Sequence, residues 1–297
     1  MTLSLLVPVN VGSPLWCKKS MTYKRMTLLT QHGKESILGP VFDAGTNYRL
    51  ELVSGFDTDL LGTFGRDVPR AGSQLEAARR KCRLGMELGR SFAGIASEGA
   101  FVMDPFAGLI PWNIEVVVFI DDEAPLEIVG MAQGAAQNSQ RFVSDLDALV
   151  GFADESNFPS HHLMLRPNNE DDPRIWKGLA DWRSLSDAFR RAQELSSHGL
   201  VFVESDLRAF CNPTRQGMIR SAAENLTHKL ASSCPACRSA GFWITAHVAG
   251  LKCRLCLGAT RVPIADIWSC ATCAHSEERL RLIDALADPS KCDNCNP

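Results

Sequence analysis

The 297-residue chain has no apolar run that approaches the roughly 20 residues needed to cross a bilayer, so no membrane-spanning role is expected. It has no excess of either charge: 31 Lys and Arg against 34 Asp and Glu leave a net charge of −3. That balance gives no general pull toward nucleic acid or an anionic membrane surface. Basic residues are also missing ahead of the first apolar stretch. Lys18, Lys19, Lys24 and Arg25 follow it instead, the reverse of a secretory signal. Residues 1–25 read as a disordered N-terminal extension, with Met21 and Met26 as later candidate starts.

Cysteine is plentiful. Of eleven, eight form four CxxC pairs, Cys234/Cys237, Cys253/Cys256, Cys270/Cys273 and Cys292/Cys295, while Cys17, Cys82 and Cys211 stand apart. Regular pairs of this kind fit a reducing, cytoplasmic setting better than a disulfide framework. Eight thiolates suffice for two tetrahedral zinc ions with none left over, because a two-residue spacer lets one turn present two sulfurs. Closed sites of four cysteines leave no open coordination position, so the zinc is expected to be structural; a redox dithiol or an iron–sulfur cluster is the other use of such pairs. Spacers of 15, 13 and 18 residues separate successive pairs, and they suggest sequential sites, first pair with second and third with fourth. Gly258 after CRLC suits a knuckle turn, and Phe242 and Trp243 are expected to cover the metal hairpin. From Ser232 onward, seven Lys and Arg meet six Asp and Glu, too even for a surface that tracks phosphates. Residues 232–297 therefore read as a double zinc-ribbon-like domain.

Residues 26–231 read as an α/β domain with a mixed central sheet covered by helices on both faces. Strand-like runs are Met26 to Thr30, Tyr48 to Val53, Phe92 to Ala96, Ile114 to Ile120, Leu126 to Met131, His162 to Arg166 and Leu200 to Glu204. Helical periodicity covers Ser73 to Arg90, Arg141 to Val150, Ser184 to Leu195 and Pro213 to Leu230. The last has Asn212 as N-cap and Pro213 at its first position, with Ile219, Ala222, Ala223, Leu226 and Leu230 forming one stripe.

Ligands of such sheets bind beyond the carboxyl ends of strands. After the first strand comes Gln31, His32, Gly33, Lys34, where the glycine allows a tight turn into a helix whose amides attract anions and Lys34 adds a positive charge. After the second come Asp57 and Asp59, then Arg66 and Arg70; carboxylates there suit Mg²⁺, and they also suit an ordinary turn. Ser97, Glu98 and Gly99 follow the third, making Glu98 a candidate metal ligand or general base. Asp206 lies past the seventh strand, either to orient a water or to pair with Arg208. His161 and His162 open a strand and read as a polar strand entry or as groups reaching a base or phosphate.

With these pieces in order, residues 26–231 resemble the inosine/xanthosine triphosphatase family, which hydrolyses non-standard purine nucleoside triphosphates. The resemblance rests on TQHGK, which keeps Thr30 and Lys34 of a Thr, Asn, Lys phosphate loop. It rests also on Arg70, Ala71 and Gly72 of PRAGS, on Glu98 and Gly99 of IASEGAF, and on Thr214 and Arg215 of CNPTR. It implies a triphosphate bound by Thr30, His32, Gly33, Lys34, Arg70, Gly72, Asn212 and Arg215. Catalysis would fall to Glu98 as Mg²⁺ ligand, with Asp57 or Asp59 in the outer shell and Asp206 nearby. The whole chain, cysteines included, also resembles an uncharacterised bacterial family. Two functions follow as expectations. One is a Mg²⁺-dependent hydrolase of nucleoside triphosphates or related phosphorylated small molecules. The other is a non-enzymatic nucleotide- or nucleic-acid-binding protein whose zinc tail docks a protein or nucleic-acid partner.

Overall fold

In a computed structural model the described residues are 23–58, 72–281 and 286–297. The remainder of the expected N-terminal extension, residues 1–22, lies outside them, as do Asp59, Arg66 and Arg70. Strand β1 (Lys24–Leu29) begins within the segment read as extension.

Helix α1 (Glu35–Gly45) and β2 (Tyr48–Val53) follow, then α2 (Gln74–Gly89), β3 (Ala93–Met103), β4 (Pro111–Asp121) and β5 (Leu126–Ala135). They build a five-stranded sheet in the order β2-β1-β3-β4-β5. β2 and β3 flank β1 in parallel, whereas β3, β4 and β5 form an antiparallel meander. Helix α2 covers one face. Its apolar side, Ala78, Cys82 and Met86, packs on Ala96, Val116, Val118 and Ile120. It starts cleanly because Ser73 and Glu76 form a capping box, each side chain taking an orphan amide of the other. The opposite face carries α1 and α5 (Pro213–Ala231): Ile37, Leu38 and Phe42 meet Ile219, Ala222, Ala223 and Leu226 over Ile95, Val117 and Phe119. Asn212 caps α5 by accepting from the Arg215 amide, with Pro213 at the first turn as the residue types predict.

A second core departs from the single sheet expected. Strands β6 (Gln140–Val143), β7 (Leu163–Arg166), β8 (Trp176–Leu179) and β9 (Val201–Ser205) form a separate antiparallel sheet ordered β6-β9-β7-β8. Helices α3 (Leu146–Glu155) and α4 (Trp182–Leu195) pack on it through Phe152, Leu185 and Phe189. The stretch from Arg141 to Val150 is thus half strand and half helix. Asp145 breaks it by capping α3 at the Ala148 amide, leaving residues 140–143 free to pair with β9.

The tail forms a third sheet, β10 (Trp243–Ala249), β11 (Pro263–Ser269) and β12 (Ser276–Leu280), an antiparallel meander. It leaves the end of α5 directly. The Gly241 amide donates to the Lys229 and Ser232 carbonyls at 3.1 and 2.9 Å, and Ala240 packs on the main core. No described helix is long and apolar enough to cross a membrane.

Candidate functional site: a buried charge cluster and two cysteine sets

Strand β1 pairs with β3 only at Gly94 and Ile95, so beyond Ala96 the β1 side of β3 is open while its other side runs on against β4. Glu98 is expected from the sequence to follow a strand end; it lies inside β3, opposite Val116. A local reading stops the strand at the small polar residues, but the β4 ladder carries it through them to Met103. Side chains alternate across the sheet, which sends Glu98 toward α2 and its neighbour across the ladder, Glu115, toward α5.

Each carboxylate meets a cation from the covering helix. Glu98 pairs with Lys81 of α2. Glu115 takes Arg215 Nε at 2.7 Å, both side chains being all but sealed from solvent, and Arg215 Nη1 donates to the Leu207 carbonyl at 2.6 Å. Gly99 makes room for the second pair: a Cβ there would overlap Glu115 Oε1 and come within 2.7 Å of Arg215 Nη2. The Asn113 amide donates to Glu115 Oε1 at 3.2 Å, and Gln74 Nε2 bridges the Glu98 and Ile114 carbonyls at 2.7 Å each.

Lys34 lies between the pairs. Its ammonium is buried and donates to the Ser97 carbonyl at 2.7 Å, a group on the stretch of β3 that β1 has left. Burial pulls its pKa down from 10.5 to about 7, with Glu98 and Glu115 opposing the fall and Arg215 and Lys81 adding to it. Among the described residues, three basic side chains therefore face two carboxylates. In the same neighbourhood Ser97 Oγ, Asn113 Oδ1 and Glu115 Oε2 are buried with no hydrogen-bond partner among the described residues.

Around this core the structure brings together only some of the residues expected. Thr30 Oγ1 accepts from the His32 amide at 3.2 Å, shaping the turn, and Gly33 takes φ 67° just ahead of α1. His32 stacks on Phe210 with centroids 5.9 Å apart, and Arg208 lies 4.8 Å from the same ring. Asn212 is occupied as helix cap, with its Nδ2 on the Gln137 carbonyl at 3.2 Å. Gly72 takes φ 91° at the approach to α2, beside Glu76. Asp57 is exposed after β2. Asp206 is spent on its own turn, gripping Arg208 at 2.5 Å and accepting the Gly178 amide at 3.0 Å. His161 is buried, its Nε2 at 2.9 Å from Thr214 Oγ1 and its Nδ1 at 3.1 Å from Ser160 Oγ. Sequence reasoning misses Lys81, Glu115 and Asn113; the lone acid of IEVVVFI, inside an otherwise continuous apolar run, is the available signal for Glu115.

A Mg²⁺ site does not emerge from these groups. Glu98 and Glu115 point to opposite faces and each is held by a cation. Among the described residues, the sets of three or more metal-ligating side chains are the two cysteine sets alone.

Those sets correct the expected pairing. Cys234 and Cys237 converge with Cys270 and Cys273, and Cys253 and Cys256 with Cys292 and Cys295, so the sites interleave. The meander is the reason. Each spacer contains one strand, so successive pairs alternate between the two ends of the sheet. Facing sulfurs lie 3.6 to 3.9 Å apart. A tetrahedron with Zn–S bonds of about 2.3 Å has edges of about 3.8 Å, whereas a disulfide would need about 2 Å. Each set can thus hold one zinc ion. Three knuckles repeat one turn: the first cysteine's carbonyl accepts from Arg238, Leu257 or Ala274, and those residues take φ of 62°, 59° and 58°. The left-handed position in the second knuckle is accordingly Leu257, not Gly258. Phe242 is buried against Cys234 and Cys270, with Trp268 beside it, and Trp243 packs on Trp268 at 5.4 Å.

The fold and sites define a mixed α/β protein whose tail carries two interleaved four-cysteine sites. Residues 81–297 match the family described as a domain of unknown function (DUF6671), and the chain belongs to that family. No curated protein and no solved structure matches it. The matched span takes in Lys81, Glu98, Glu115, Arg215 and all eight tail cysteines, while Lys34 precedes it.

Proposed function

We propose that the chain binds a phosphorylated small molecule, a nucleoside triphosphate or a compound of that class, at the open end of the five-stranded sheet and hydrolyses it. The observation that carries this reading is Lys34, a desolvated cation in excess over the two carboxylates around it, at the entry to α1 where β1 leaves β3. Such a group lacks a counter-charge of its own, and a phosphate supplies one. Helix α1 adds the partial positive charge of its N-terminus. The TQHGK and CNPTR resemblances to the inosine/xanthosine triphosphatases favour a triphosphate, with Lys34 and Arg215 as its cationic contacts.

Within this reading Lys34 neutralises charge that builds on the phosphoryl oxygens as water attacks, a stabilisation worth more in a desolvated site than in water. Glu98 and Glu115 hold Lys81 and Arg215 in place. No step is assigned to a metal, because the described carboxylates do not converge on one. Phosphate binding would drive Lys34 to its charged form, so binding near neutral pH takes up a proton.

The test is a panel of nucleoside triphosphates with the zinc-replete chain, with and without divalent cations, following release of phosphate and of pyrophosphate. Turnover that disappears in Lys34→Met, with proton uptake on binding seen by calorimetry in buffers of different ionisation enthalpy, supports the proposal. Binding without turnover moves the function to the non-enzymatic reading, which the engagement of each carboxylate by a cation favours. Absence of both binding and turnover refutes the site.

A further inference from the structure

The two cysteine sets look equivalent by exposure, since each combines buried and accessible sulfurs. Their surroundings differ. The set of Cys234, Cys237, Cys270 and Cys273 rests on Phe242, which is buried among Cys234, Cys270 and Trp268 and lies 5.8 Å from the ring of His275. Its first knuckle is joined to the α/β body. The Gly241 amide donates to the Lys229 carbonyl of α5 at 3.1 Å and Ala240 packs on the main core, while Ser233 bridges to Ala240 and Ser232 Oγ donates to the Phe242 carbonyl at 2.6 Å within the knuckle. Gly241 lies so close to Ile128 that a Cβ would come within 2.8 Å of its Cδ1. Ser239 and Ala240 wall a cavity of about 230 Å³ together with Tyr48, Leu126 and Leu230.

Among the described residues, the set of Cys253, Cys256, Cys292 and Cys295 is held by its own neighbourhood. The Cys253 amide donates to the Gly258 carbonyl at 2.8 Å and Cys253 bridges to Ala287, while Lys252 bridges to Ala259. A short turn over Pro289–Lys291 leads into Cys292. No buried aromatic residue lies beneath it among the described residues.

We propose that the two ions have different roles: the proximal zinc, at Cys234, Cys237, Cys270 and Cys273, is a staple of the α/β core, and the distal zinc is an independently exchangeable ion. A chelator removes a closed-site ion after local opening, and opening is governed by what must come apart with it. At the proximal site that includes the Phe242 cluster and the junction with α5. At the distal site, among the described residues, it is the Lys252–Ala259 and Cys253–Ala287 bridges and the exposed Arg261–Asp293 pair.

The full zinc-loaded chain is treated with a chromogenic chelator, and freed thiols are alkylated at intervals and located by peptide mass spectrometry. Two releases of equal amplitude are expected, separated by at least about tenfold in rate, the factor that corresponds to about 1.4 kcal/mol of opening cost. Early alkylation falls on Cys253, Cys256, Cys292 and Cys295, and amide exchange at Lys229 to Ser232 rises only with the second release. Phe242→Ala, which alters no ligand, speeds the slow release and leaves the fast one unchanged, whereas Cys295→Ser abolishes the fast one. A single release phase, early alkylation of the proximal set, or a slow phase indifferent to Phe242→Ala overturns the proposal.

Discussion

Replacing Gly99 by alanine puts a methyl group where the Glu115 carboxylate now lies, against the guanidinium of Arg215. Ordinarily a carboxylate at the end of a side chain swings away at small cost. Here it is completely buried, bound to Arg215 Nε at 2.7 Å and to Asn113 Nδ2 at 3.2 Å, so moving it separates a buried ion pair. Breaking such a pair while both charges stay buried costs about 3–5 kcal/mol. Alanine regains about 0.5–1 kcal/mol of the backbone entropy that glycine loses in a strand. A net loss of roughly 2–4 kcal/mol lowers the melting temperature by about 4–16 °C for a body of this size. Gly151→Ala in α3 is the control, because nothing lies within 4 Å of its Cβ position and no proline follows it; it stabilises by about 0.5–1 kcal/mol. Thermal melts of both variants at neutral pH decide the matter. If Gly99→Ala melts within about 2 °C of the parent chain, a shift too small for pair separation, the Arg215–Glu115 pair is not held as described.

Lys34 makes stability depend on alkaline pH. Its folded pKa of about 7 lies below the usual 10.5, so between those values the unfolded chain holds a proton that the folded chain has lost, and stability rises with pH across the window. Below it the buried charge is a full cost, so Lys34→Met is expected to flatten the rise, read as the difference between the two stability profiles. In the second knuckle, Leu257 occupies φ 59° with an exposed side chain; Leu257→Gly relieves about 1 kcal/mol of left-handed strain and slows distal zinc release. Asp104 accepts the amides of Phe106, Ala107, Leu109 and Ile110 at 2.6 to 3.0 Å, which holds its carboxyl below the usual carboxylate range. Asp104→Ala should therefore speed hydrogen exchange at those four amides, while in the parent chain their protection persists as pH falls through about 4.

Local signals are legible in the sequence and long-range ones are not. Asn212 with Pro213, and Ser73 with Glu76, announce their helices because a cap acts within one turn. Glu98 stands out among small residues, yet its partner Lys81 belongs to a helix that reads simply as basic on one side, and only the crossing of α2 over β3 selects Lys81 as the residue that meets it. Glu115 and Arg215 are separated by 100 residues and meet because α5 returns across β4. β6 and β8 are four-residue strands whose pairing with β9 and β7 no local pattern displays. The cysteine pairing escapes for a different reason: spacer length is a poor guide to it, whereas what matters is that each spacer holds one strand pass.

Interleaving also makes the tail indivisible as a unit of inheritance. Were neighbouring pairs to share an ion, a chain ending at Asp266 would keep one complete site. As built, that chain would retain Cys234, Cys237, Cys253 and Cys256 and complete neither set. Deletions and insertions that remove one strand pass change which end each later pair reaches, so such a tail is kept whole or lost whole.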